Sequence, residues 1–406
     1  MTAGHLATCP RMTKAADALS AAGHDVRVVS TRHTPWAVEA DDEIRATRSW
    51  PWSVVDYRKD AARLLYVKSG LRGRSALAMA RQLGASQVPF AVGVHAYARV
   101  HPELVSAALE EPADLFYGGT TGAIAAAAEA ACRAGAPYGL DLEDFHAEEQ
   151  EGPDGPLMNA LGDRVVARVA PDAAFVTTSS GANAAEYRRR YRVHAVTINN
   201  TFPLPLHTPA IARRDGSPLR AYWFSQTIGS GRGLEGFIRG AGAAHVPVEL
   251  HLRGRSSAGY VETLKQLAAS LAPQLSIVTS EPASPDRMVA LCEDHDFGLA
   301  IEEGHMLSRQ FSLSNKALTY ILGGLAVVLT DTEGQRELGQ GVGEGALIYR
   351  EGDYETLAQG LRRWYQEPER LLAARRAAWA AAAGRWHWEH ASQSGALVAA
   401  VGRVLS

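Results

Sequence analysis

Two serines, an asparagine and a lysine stand together in the stretch Phe311-Ser-Leu-Ser-Asn-Lys-Ala-Leu-Thr-Tyr-Ile-Leu-Gly-Gly-Leu-Ala-Val-Val-Leu-Thr-Asp331. Ser312 and Ser314 precede a helical run from Asn315 to Leu322. Gly323 and Gly324 end that run, and Leu325 to Thr330 reads as a buried strand. A helix start exposes free backbone N–H groups and the positive end of the helix dipole. Lys316, in the first turn, adds a full positive charge. Together these make an anion site suited to a phosphate or diphosphate. An ordinary capped helix with a solvent-facing lysine has the same letters, so the chemistry needs support from elsewhere in the chain.

A second group of reactive side chains is Asp141-Leu-Glu143-Asp144-Phe-His146, with three carboxylates and an imidazole within six residues. Carboxylates so placed position hydroxyls or take up a proton. The plainer alternative is an acidic loop running into Glu148-Glu149-Gln-Glu151. Ser225-Gln226-Thr-Ile-Gly-Ser-Gly231-Arg232-Gly233 reads as a glycine-rich loop entering a helix. Arg253-Gly254 and Glu302-Glu303-Gly304 each follow a strand, and Gly118-Gly119-Thr120-Thr-Gly122 reads as a turn after another. In open parallel sheets, ligands bind at the carboxyl ends of the strands.

The elements that would carry these residues alternate. The first part opens on a helix, Met12 to Ala22, then a turn Gly23-His24-Asp25 and a strand Val26 to Ser30, so a leading strand is missing or very short. Residues 31–60 show no clear periodicity. Residues 58–81 are basic, with Leu64, Leu65, Val67 and Leu71 interleaved. That pattern fits a solvated helix face, or a peripheral contact with an anionic acceptor or membrane surface. Strand–helix pairs follow through Ile198, and residues 204–217 are a linker. A second series begins at Leu219, with strands at 220–224, 249–252, 274–278, 297–301 and 325–330 and a helix from Asp286 to Asp294. Two alternating series predict an α/β protein of two Rossmann-like domains, 1–203 and 218–385.

The run Asn315-Lys316-x-x-x-Tyr320-x-x-Gly323-Gly324-Leu325-x-Val327-Val328 resembles the asparagine–lysine variant of the donor-site helix of GT-B glycosyltransferases, in particular the retaining family four. Thr319 stands where that family usually has a ribose-binding glutamate, and Ala326 where it has proline. Arg232-Gly233 resembles the second cation of the family's Gly-Arg-x-x-x-x-Lys-Gly loop; the first arginine has no match. Glu143 and Asp144 take the last two places of its Asp-x-His-Glu segment. Trp386-His-Trp388-Glu389 resembles the start of its last helix, here 389–404, which crosses back to complete the first domain with 386–406. The resemblance implies two domains facing a cleft and a sugar moved from a UDP- or GDP-linked donor, with retention, to a small-molecule or glycan acceptor. Arg232 and Lys316 would neutralise the leaving diphosphate, and Glu302 or Glu303 would contact the donor sugar. Ser225, Gln226, Gly231, Arg253, Gly254, Ser312, Ser314, Asn315 and Thr319 would line the donor site. Glu143, Asp144, His146 and the loop Gly118-Gly119-Thr120 would face the acceptor.

Composition sets the bounds. The chain has 406 residues and a formal net charge of -3, so no whole-chain field favours nucleic acid. With 46% hydrophobic residues it can bury two cores. Its three widely spaced cysteines argue against a disulfide framework or zinc site and for a cytoplasmic setting. Neither a signal peptide nor a membrane-spanning run is read. No cofactor is expected beyond the nucleotide sugar as co-substrate, and no metal: Asp294 and Asp296 are read as turn residues. Two other functions share this frame: a non-hydrolysing sugar-nucleotide epimerase and a catalytically silent nucleotide-sugar-binding subunit.

Overall fold

The computed structural model describes residues 1–212, 218–284, 287–304 and 306–406. The chain forms two compact units, Met1–Ile198 with Ser394–Ser406, and Asn199–Gln393.

In the first unit, β1 (Val28–Arg32) pairs in parallel with β2 (Trp52–Asp56), and β3 (Phe116–Gly119), β4 (Tyr138–Asp141), β5 (Phe175–Thr178) and β6 (Ala195–Thr197) form a parallel series in that order. The expected leading strand is present in its shortest form. Thr2 bridges in parallel to Gly119, and its N–H donates to the Val29 carbonyl at 2.9 Å, so residues 1–4 join the two sheets. The connection therefore reverses direction between this segment and β3. Strand β2 lies in the region read as irregular; its alternation is masked because four of its five residues are only half-buried. The alanine-rich helix Thr121–Ala134 buries seven small or apolar side chains on the sheet. The basic segment forms the long helix Arg63–Leu83. Arg63, Lys68, Arg74 and Arg81 are exposed, as a solvated face requires, and Arg72 is half-buried. Arg72 binds the Arg99 carbonyl and the Glu103 carboxylate, and Arg81 reaches Asp154.

The last helix begins at Ser394, five residues later than expected, and packs on the first unit against the helix Pro10–Ala21. Gln393 ends a run of turns instead, its amide bound to Asn199.

The second unit has one six-stranded parallel sheet: β7 (Leu219–Ile228), β8 (Val248–Ser256), β9 (Leu275–Ser280), β10 (Phe297–Ala300), β11 (Ala326–Thr330) and β12 (Ala346–Tyr349), in the order β12-β11-β10-β7-β8-β9. All five residues of β11 are buried, as a central strand covered on both faces requires. Helix Asn315–Leu322 has the predicted bounds and buries six of its eight residues. Gly324, at φ +70°, makes the left-handed turn into β11. Two expectations are corrected. Strands β7 and β8 run on past Phe224 and Leu252, so Ser225, Gln226, Arg253 and Gly254 lie within strands rather than loops. In place of the helix expected from Asp286 to Asp294, the described residues hold the 3₁₀ turn Ala290–Cys292, with Met288, Val289, Leu291 and Cys292 packed on the core; Asp286 lies outside the described residues.

Candidate functional site

The sheet order of the second unit changes direction between β7 and β10, and the loops leaving these two strands meet. Gly233, at φ +76°, leaves no room for a side chain: a Cβ there would stand 2.3 Å from the Ile301 carbonyl oxygen. Its N–H donates to Glu303 Oε1 at 3.0 Å, and Arg309 Nη1 donates to the Gly231 carbonyl at 3.1 Å. These contacts fix the Gly229–Gly233 turn against the end of β10, and the half-buried Arg232 with it. This is the place where doubly wound sheets bind ligands.

Glu302 lies at the same point. Its Oε1 accepts from Lys316 Nζ at 2.7 Å and from Ser314 Oγ at 3.0 Å. Ser314 stands at the helix start but does not cap it, since its hydroxyl is given to Glu302. Burial alone would push the Glu302 carboxyl up; Lys316, Ser314 and Arg232 outweigh that and hold it below its usual value. The Glu302 carbonyl accepts from Thr330 Oγ1 at 2.8 Å, which ties the loop to β11. Ser312 Oγ turns back to the Ser308 carbonyl. Arg253 spans Tyr222 and the Glu281 carbonyl at the far side of β8. Thr319 is fully buried, and its hydroxyl donates to the Asn315 carbonyl at 2.9 Å. It presents nothing to a ribose, so it leaves the donor-binding set proposed from the sequence.

In the first unit, Asp141 is structural. Arg11 grips it with two bonds, Nε to Oδ2 at 2.9 Å and Nη2 to Oδ1 at 2.8 Å, and both side chains are buried. Arg11 also donates to the Ile198 carbonyl. Beside them, burial pushes the Glu143 carboxyl up to about 7, a value suited to proton exchange near neutrality. Burial, with Arg11 adding to it, pulls the Lys14 ammonium down to about 7. His146 is buried. Its Nδ1 lies 3.0 Å from both Glu149 Oε2 and Thr121 Oγ1, and Thr121 also donates to Glu149 Oε1. The other ring nitrogen of His146 is buried without a hydrogen-bond partner. Asp144 offers its carbonyl to Tyr187 Oη at 2.6 Å.

Gly118 and Gly119 belong to β3, not to a turn. A Cβ on Gly118 would stand 2.6 Å from Ala127 Cβ, and one on Gly119 2.2 Å from Met12 Sδ, so both glycines serve close packing. The turn falls on Thr120, a β-branched residue at φ +67° and ψ 147°. Such backbone is strained for any side chain but glycine. Its hydroxyl accepts from the Ala3 N–H at 3.2 Å.

Residues 10–201 match the model of the glycosyl transferase 4-like domain. No curated protein matches the sequence. Among solved structures, HepE from Anabaena, solved in complex with UDP, is similar at a TM-score of 0.63 and 16% identity, over 100% of this chain and 98% of its own. Sucrose-phosphate synthase from Thermosynechococcus elongatus gives 0.62 and 13%, over 98% and 92%. A glycosyltransferase from Rickettsia africae ESF-5 gives 0.65 and 11%, over 100% and 97%. The fold is that of the GT-B glycosyltransferases.

Of the site residues proposed from the sequence, the structure brings Glu302, Ser314 and Lys316 into one cluster and sets Arg232 on the adjoining loop. Arg11, Lys14 and Glu149, which stand beside the Asp141–His146 segment, were not singled out from the sequence. Arg11 and Lys14 are three apart on the helix Pro10–Ala21, where two cations on a largely buried face were the available signal. Glu149 was read as part of an acidic run, because nothing local shows that His146 folds back onto it.

Proposed function

We propose that the protein is a glycosyltransferase that moves a sugar from a UDP-linked donor to an acceptor. The observation that carries this reading is the Glu302–Ser314–Lys316 cluster, set beside the Arg232 loop at the switch point of a Rossmann-like sheet. Bond breaking at the anomeric carbon leaves negative charge on the diphosphate. Lys316, Arg232 and the start of helix Asn315–Leu322 supply fixed positive potential at that place. Glu302 holds Lys316 in position until the donor arrives. The likeness to HepE, solved with UDP and with UDP-glucose, supports a uridine donor. Retention at the anomeric carbon is proposed only on the resemblance of the Asn315–Val328 run to the retaining family four. The carboxyl of Glu143, tuned to neutrality, is the group we assign to the acceptor hydroxyl.

All three cysteines are free, and no helix among the described residues is long and apolar enough to cross a membrane. Both facts accord with a cytoplasmic enzyme using cytoplasmic nucleotide sugars. The test is a panel of UDP- and GDP-sugars, incubated with and without candidate acceptors. Release of UDP that depends on an acceptor supports transfer. An altered sugar nucleotide without acceptor would make the protein an epimerase, and binding without turnover a silent binding subunit.

A further inference from the structure

The first unit holds a cavity of about 700 Å³ beside Gly4, Thr120 and Thr121, at the reversal between the Thr2 segment and β3. That size takes a sugar-sized ligand. Two arginines line it, Arg74 and Arg99, and no lining residue carries a carboxylate. The Arg99 guanidinium lies between two aromatic rings, 4.6 Å from the centroid of Tyr57 and 5.0 Å from that of Tyr66. Its Nε is buried without a hydrogen-bond partner. Among the described residues neither Arg74 nor Arg99 makes an ion pair, whereas Arg58, Arg72 and Arg81 nearby each have an acid.

The two free cations converge. A Cβ on Gly70 would stand 3.3 Å from Arg74 Nη1 and 3.7 Å from Arg99 Nη1, so both guanidinium groups reach one gap above the helix Arg63–Leu83. Gly73 keeps that helix close: a Cβ there would stand 2.9 Å from Arg99 Cβ. Two unpaired cations facing one gap repel each other, and no carboxylate lines the cavity to relieve them. An incoming oxyanion removes the repulsion and satisfies both planar forks.

We propose that Arg74 and Arg99 bind an oxyanion, phosphate or carboxylate, carried by the acceptor. This rests on the reading of the first unit as the acceptor side. Tyr97 and Gln150 on the same wall offer polar contacts to the rest of that molecule. A phosphate, with nearly two charges at neutral pH, binds more tightly than a carboxylate.

The test is ligand-observed NMR on the full chain, saturated with UDP to occupy the second unit, using glucose 6-phosphate, glucuronate and glucose as probes. The expected order is phosphate over carboxylate over neutral sugar. Arg74→Gln, an exposed change that leaves the fold intact, weakens both charged probes about tenfold and leaves glucose unchanged. Arg99→Lys, which keeps charge and loses the fork, weakens them too. Equal binding of charged and neutral sugars, or unchanged binding in both variants, overturns the proposal. So does a loss of phosphate binding in Lys316→Ala that the two arginine variants do not show. If wild type binds glucose 6-phosphate through these arginines but does not bind UDP, the oxyanion site stands and the glycosyltransferase reading falls.

Discussion

Lys316 Nζ lies 2.7 Å from Glu302 Oε1, with the two side chains only 14% and 17% exposed. The pair thus does two jobs. It is a mostly desolvated ion pair of the fold, and it is the reserve of positive charge proposed for the leaving diphosphate. Lys316→Ala is expected to lower kcat/KM by the equivalent of about 2–4 kcal/mol. It also leaves Glu302 buried without its cation, at a stability cost of about 3 kcal/mol. The double variant Glu302→Gln, Lys316→Met separates the effects: stability in urea returns toward wild type and turnover does not. Full activity in Lys316→Ala would refute the diphosphate role.

Arg11 and Asp141 form a fully enclosed pair, with 6% and 4% of each side chain exposed. Asp141 Oδ1 also accepts from Thr177 Oγ1 at 2.9 Å, and Arg11 Nε holds Oδ2, so both of its oxygens are engaged. Removing one partner strands the other. Arg11→Met is expected to cost about 3–5 kcal/mol in denaturant unfolding, and Arg11→Lys less but still measurably, since an ammonium cannot reproduce the two-pronged geometry. A change below about 1 kcal/mol for Arg11→Met would show that the site collapses without penalty.

His146 and Glu149 make a pH-dependent contribution whose sign is fixed by their opposite shifts. Burial alone would lower the His146 value, but the Glu149 carboxylate raises it above the usual 6.5. Burial would raise Glu149, but His146, Thr121 and Gln150 together hold it below the usual 4.5. The histidine's share is present below 6.5 and is lost as pH rises through the raised folded value. The glutamate's share is present above 4.5 and is lost as pH falls through the lowered folded value. Both shares coexist between these limits. The Tm difference between wild type and Glu149→Gln is therefore expected to peak near about pH 5.5, at roughly 3 °C per kcal/mol lost, and to shrink toward alkaline pH. A difference that grows as pH rises would contradict the pairing.

The helix Asn315–Leu322 and strand β11 were legible because their apolar runs are continuous and glycines punctuate them. Strand β2 was not, because a half-buried strand among tryptophans and charges lacks a clean period. Glu302 and Lys316 could be nominated as candidates, but their mutual contact could not, since fourteen residues and two loops separate them. Thr319 shows the reverse error: a family position implied a surface contact, and the helix turns that side chain into the core. Arg74 sat in a run read as solvated charge. Only the path of residues 96–100 past the helix Arg63–Leu83 shows that it has a second guanidinium for company.

Metal dependence can be argued from the two ends of β10. Asp294 and Asp296 have the alternate spacing that binds a hard cation when it ends a strand at a ligand site. Here they precede the strand. Asp296 Oδ2 accepts from the Arg220 N–H at 2.8 Å, and Arg375 Nη1 lies 3.8 Å from Oδ1, so this buried carboxylate is committed to the fold. Asp294 is exposed, and its carbonyl faces Arg220. Glu302 and Lys316 follow the other end of β10. Six residues of extended chain set Asp296 and Glu302 roughly 20 Å apart, too far to share an ion or a diphosphate. On the proposed reading, neutralisation of the leaving group falls to Lys316, Arg232 and the helix start. Transfer is expected to survive EDTA and Asp294→Ala, whereas Asp296→Ala lowers stability by stranding the Arg220 N–H and removing the carboxylate beside Arg375. Abolition by EDTA with rescue by Mn²⁺, together with an inactive Asp294→Ala, would move the chemistry to the opposite end of the sheet.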